Sequence, residues 1–120
     1  MAITVTTPNC GPGSYAGFIV NGVSADASGC EVLKAGVAGK SILITRLVIN
    51  NGASALSHTI GEGETDSAPD AVLIGAIAMA ANTSLPFDFY PPMQLTAGKS
   101  LVIDSSGAGA VCVFVQGRIE

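Results

Sequence analysis

Tryptophan is absent, aromatic residues are 5% of the chain, and one histidine serves all 120 residues. Charge is also scarce: Asp, Glu, Lys and Arg together make up 12%, about half the share of an ordinary domain. Each shortage excludes something. A single imidazole, His58, cannot supply the converging ligands that a metal site on a β-scaffold needs. No Gly-x-Ser-x-Gly elbow accompanies it, so a Ser-His-Asp triad has no local signature. A packed or rim histidine is the expectation, with no enzyme activity and no cofactor. Five Lys and Arg are scattered singly in a chain of net charge −4, which leaves nucleic-acid binding without electrostatic support. No apolar run reaches the roughly 18 residues of a membrane span; the most apolar stretch, residues 71–81, is too short. The first residues, Met1-Ala2-Ile3-Thr4-Val5, lack a basic leader region, so the protein is expected to remain in the cytoplasm in which it is made. Three cysteines, Cys10, Cys30 and Cys112, fit neither a disulfide framework nor a zinc spacing. Cys112, within Val111-Cys112-Val113-Phe114-Val115, reads as a small buried hydrophobe.

What the chain does have is small apolar side chains and turns: 48% apolar residues and 15 glycines. Its length fits one domain with a real core. So few charges leave little to hold copies apart, and association is expected. The most informative stretch is Ser41 to Asn50, a run of β-branched and aliphatic residues with turn residues at each end, which reads as a strand. Strict alternation puts Leu43, Thr45, Leu47 and Ile49 on one face and Ile42, Ile44, Arg46 and Val48 on the other. The two faces differ little, so the second should also be covered, by another layer or another subunit.

Ile3 to Thr6 can form a short strand, and residues 1–14 read either as an arm or as an edge strand. Tyr15 to Val20 reads as a strand closed by an Asn21-Gly22 hairpin turn. Cys30 to Ala35, Leu56 to Ile60, Leu85 to Tyr90, Met93 to Thr96, Lys99 to Asp104 and Ala110 to Ile119 are further strand candidates. Residues 71–81 are rich in alanine, a helix former, yet Gly75 and the flanking turns favour an extended segment with at most a short helical turn. Pro86 suits an edge or a strand start, and Pro91-Pro92 should end that strand. Ala38-Gly39-Lys40-Ser41-Ile42-Leu43-Ile44 is echoed by Ala97-Gly98-Lys99-Ser100-Leu101-Val102-Ile103, as equivalent corners of two sheets would be. About eight short strands between turn signals predict an all-β antiparallel sandwich or barrel, with 15–120 as its single domain.

Gly-Lys-Ser occurs twice, but Lys34 and Met93 stand where a phosphate loop needs glycine, and strands follow instead of helices. Glu62, Glu64, Asp66 and Asp70 lie in an acidic loop; oxygen ligands there suit calcium, and a solvated loop explains them equally well. Phe87 and Phe89 share a strand face and are expected in the core, whereas Tyr90, on the other face beside two prolines, is the better partner contact.

The order of several weak motifs is distinctive: Val37-Ala38-Gly39-Lys40-Ser41-Ile42, then Ala80-Ala81-Asn82, Leu85-Pro86, Pro91-Pro92, Gly98-Lys99-Ser100-Leu101 and Val115-Gln116-Gly117-Arg118. Over about residues 30–120 this pattern resembles the jelly-roll capsid decoration (cement) proteins of tailed bacteriophages. The resemblance implies a jelly-roll β-sandwich with an N-terminal arm, and a homotrimer on the outer capsid surface that bridges neighbouring major capsid proteins and stabilises the shell. The virion would be its location. Strands apolar on both faces would then supply trimer contacts, namely Ile42, Ile44, Val48, Val113 and Val115. The arm, with Ile3, Val5, Pro8 and Pro12, would touch the capsid. The acidic insert at 61–70 and the N-terminal segment depart from the pattern. A receptor- or glycan-binding jelly roll of a tail or fibre is the alternative, with Tyr90 or the acidic loop as its contact.

Overall fold

A computed structural model describes residues 4–6, 17–24, 30–63, 69–107 and 109–120. Every regular element among them is a β-strand: β1 (Thr4–Thr6), β2 (Gly17–Ser24), β3 (Cys30–Lys34), β4 (Ile42–Asn51), β5 (Leu56–Gly63), β6 (Ala71–Met79), β7 (Ser84–Gln94), β8 (Ser100–Ser105) and β9 (Val111–Ile119). All pairings are antiparallel. One sheet has the order β2-β9-β4-β7 with the short β1 added outside β2; the other has the order β3-β8-β5-β6. From β2 onward the chain changes sheet at every connection except β5 to β6. The two sheets share one core. Val20, Ile44, Leu47, Ile49, Val113 and Val115 come from the first, and Leu33, Ile60, Leu101 and Ile103 from the second. The expected all-β sandwich is therefore present. Thr4–Thr6 of the N-terminal segment pairs with Asn21–Val23 of β2.

The central strand departs from simple alternation. Along β4, Ile42 and Ile44 are buried, and so are Leu47 and Ile49, while Thr45 and Arg46 both lie half-exposed. Opposite β9, Ile44 pairs with Gly117 but Arg46 pairs with Gln116, so Thr45 is an extra residue. This is a β-bulge, and a bulge reverses which residues face inward beyond it. The Thr45 hydroxyl donates to the Gln116 carbonyl at 3.0 Å. Ile42, Ile44, Leu47 and Ile49 therefore all face the core, and the two faces differ more than strict alternation suggests.

Burial corrects the expected trimer contacts. Ile42, Ile44, Val113 and Val115 are at most 1% exposed inside the sandwich. They are already covered by their own chain and have nothing left to offer another. Val48 alone of the five is half-buried on the outer face, opposite Phe114 of β9 and Pro86 of β7.

Two turn expectations are also corrected. Asn21-Gly22 makes no hairpin: β2 runs straight through it, because both residues pair with Phe114 and Val113 of β9. Pro91-Pro92 does not end β7. Between Asp88 and Met93 that strand leaves its ladder with β4. Two prolines, which have no N–H to donate, sit where no ladder bond is required. Residues 71–79 are strand throughout. Alanine's helical preference is overridden because β5 offers a ladder and Ile74 and Ile77 pack on the core.

The repeated Ala-Gly-Lys-Ser segments are equivalent corners, as expected. Each closes a four-residue turn, Lys40 N–H to Val37 carbonyl at 3.0 Å and Lys99 N–H to Thr96 carbonyl at 3.1 Å. Gly39 (φ 75°) and Gly98 (φ 82°) hold the positive φ that a type II turn needs at its third residue. One turn feeds β4 and the other β8. They also touch: the Gly98 N–H donates to the Lys40 carbonyl at 2.8 Å.

Candidate functional site

The one histidine is packed, as expected. His58 is fully buried in β5. Its Nδ1 lies 2.8 Å from Ser105 Oγ on the neighbouring β8, and its Nε2 lies 2.9 Å from Asn51 Oδ1 at the end of β4, in the opposite sheet. The Asn51 amide nitrogen donates in turn to the carbonyls of Ser54, Met79 and Ala80. Since Asn51 uses Oδ1 as the acceptor, the imidazole must donate from Nε2 and accept the Ser105 hydroxyl proton at Nδ1. Burial lowers the imidazole pKa from its ordinary 6.5, because a charged ring would lose its hydration there. The result is a neutral polar tie between the sheets. Ser105, His58 and Asn51 stand in a line that superficially resembles a catalytic relay. Yet both ring nitrogens are committed and the ring is sealed, so an acyl substrate has no path to it.

The acidic loop is only partly within the described residues; Glu64 and Asp66 lie outside them. Glu62 is buried, and its Oε2 accepts the Thr96 N–H at 2.7 Å. Asp70 pairs with Lys99 Nζ at 2.9 Å. Both carboxylates are thus engaged within the chain, and the described residues hold no group of three or more candidate metal ligands. Ile3, Pro8 and Pro12 of the expected capsid contact lie outside the described residues. Val5 is placed by its backbone alone, opposite Gly22.

Tyr90 is 98% exposed. It sits at the crest of the segment where β7 leaves β4, and a cis peptide joins it to Pro91. Phe87 and Phe89 face the other way. They stack with centroids 6.2 Å apart and pack against the core while remaining half-buried. Below them on the outer face, Arg46 and Asp88 form an exposed ion pair.

The two flanks of the sandwich differ, and this asymmetry was not read from the sequence. At one flank β2 and β3 approach each other across the layers. Phe18 and Leu33 are buried there, and Lys34 Nζ lies 4.9 Å above the Phe18 ring. At the other flank β6 and β7 are the sheet edges. The half-buried apolar residues that pack on the core are Leu73, Ile74, Ile77, Leu85, Phe87, Phe89, Met93 and Ile119, and all but Ile119 lie on β6 or β7. Val72 of β6 is 57% exposed. The signal was present in the composition of 71–79, an apolar strand without charge, but only strand order places it at an edge. No family model, no curated protein and no solved structure matches the chain.

Proposed function

We propose that the chain is a virion structural protein: a jelly-roll capsid decoration (cement) protein that trimerises on the outer capsid surface and bridges neighbouring major capsid proteins. The strand order supports the jelly roll, since β2-β9-β4-β7 over β3-β8-β5-β6 is what two interleaved Greek keys produce. The observation that carries the assembly role is the half-buried apolar flank along β6 and β7. A chain whose flank keeps half-exposed apolar residues is stabilised by binding something there, and a protein that binds copies and neighbours holds a shell together. The resemblance over residues 30–120 supplies the capsid as the shell. The test is to strip capsids of their decoration and add the purified protein back. Saturable binding of a trimer that raises the temperature or pressure at which the shells rupture is the expected result. A monomer, or a trimer indifferent to shells, counts against the reading.

The glycan-binding alternative rests on Tyr90, an aromatic face almost wholly in solvent, of the kind on which sugar rings stack. A glycan array probed with the natural protein and with Tyr90→Ala separates the two. Binding abolished by the substitution favours the alternative.

A further inference from the structure

We propose that the flank bounded by β6 and β7 is the surface through which copies of this chain bind one another. The inference deepens the trimer reading and rests on it. Three observations point to a second copy as the occupant.

The first is charge. β6 contains no charged residue, and the one charge on β7, Asp88, is held by Arg46. A charged partner would gain no attraction there and would lose hydration. An identical flank brings no charge to bury. The second is extent. Nine residues at about 3.3 Å each, across two layers about 10 Å apart with roughly 5 Å of strand on either side, give a strip of about 600 Å². That is the order of the roughly 800 Å² that one partner buries in a stable interface, and in a closed trimer it is shared between two neighbours. The third is edge chemistry. Edge strands are usually guarded by charge or proline. β7 is guarded by Pro86, Asp88, Pro91 and Pro92. β6 has neither charge nor proline, and Val72, Ala76 and Ala78 are exposed along it. Among the described residues its blunting is a pair of register shifts against β5. An unguarded apolar edge beside half-exposed apolar residues is tolerable in a molecule whose copies cover it.

The experiment uses the full chain. Light scattering should give three times the 11.9 kDa chain mass for the natural protein at tens of micromolar. Val72→Lys with Ala76→Lys should reduce this threefold, to the single chain, with the circular dichroism of the sheets retained. Gln116→Lys, an exposed position on β9 away from the flank, should leave the trimer intact. Hydrogen exchange on the natural protein provides a readout free of substitutions: amides of β6 should gain protection as concentration rises. A trimer that survives the double lysine variant, or protection gained elsewhere and not on β6, overturns the flank assignment while leaving the trimer. A natural protein that is a single chain at these concentrations overturns the trimer reading itself.

Discussion

At the scale of single residues, the polar tie at His58 outweighs the surface ion pairs. Asn51 shares its two amide protons among three carbonyls and anchors the imidazole with its oxygen. Asn51→Ala takes the acceptor from the buried imidazole Nε2 and a donor from the buried Met79 carbonyl, each a desolvation cost. The expected loss is about 1–3 kcal/mol in urea unfolding. Asp88→Ala, by contrast, removes an ion pair whose side chains are 44% and 69% exposed. Solvent screens it, so the change should stay within about 0.5 kcal/mol. His58 also sets a pH dependence with a definite sign. Its folded-state pKa is depressed, so below about pH 6.5 the unfolded chain binds the proton first, and stability falls as pH falls. The contribution is whole above the unfolded value and is lost as pH drops through the folded one. Unfolding midpoints in urea between pH 8 and pH 5 should decline in the natural protein. Subtracting the same series for His58→Gln should leave a residual with this shape; identical profiles would mean the ring is not what titrates.

Elements were legible where a local conformation requires a particular residue. The Ala-Gly-Lys-Ser echo marks two turns because only glycine takes a φ near 80° without penalty, and the structure sets both turns side by side. Nothing lies within 4 Å of a side chain added at Gly98, so Gly98→Ala isolates the backbone cost, about 1–2 kcal/mol, measurable as a shift in the urea midpoint. Elements were illegible where pairing overrides local preference. Asn21-Gly22 carries a hairpin signature, but β9 offers continuous ladder partners and the strand goes straight on. The bulge at Thr45 has no signature either, since Ile-Thr-Arg is ordinary strand sequence. It nonetheless lets both halves of β4 face inward, so that Leu47 and Ile49 join Ile42 and Ile44 in the core. Deleting Thr45 should restore strict alternation and turn either Ile42 and Ile44 or Leu47 and Ile49 outward. A variant that does not fold, or folds with several kcal/mol lost, is expected. Unchanged stability would show that the extra residue does not set the phase.

At the scale of the molecule, composition suggested a chain with more apolar surface than one fold hides, and the half-buried apolar residues that pack on the core gather along β6 and β7. The described part of the N-terminal segment, Thr4–Thr6, belongs to the opposite side. β1 lies outside β2, at the far edge of its sheet from β7, and contributes only three paired residues. Removing residues 1–14 therefore leaves β2 still laddered to β9 along its whole length. The truncated chain should fold with its melting temperature lowered by no more than a few degrees, since three edge residues are a small part of a stability of about 5–15 kcal/mol. It should also still form the trimer. If the arm carries the shell contact, this same truncation abolishes add-back to stripped capsids, so that self-association and capsid binding separate on opposite edges of one sandwich. Full add-back by the truncated trimer would remove the arm from the contact, and loss of the trimer on truncation would move the self-association surface from β6 and β7 to the β1 edge.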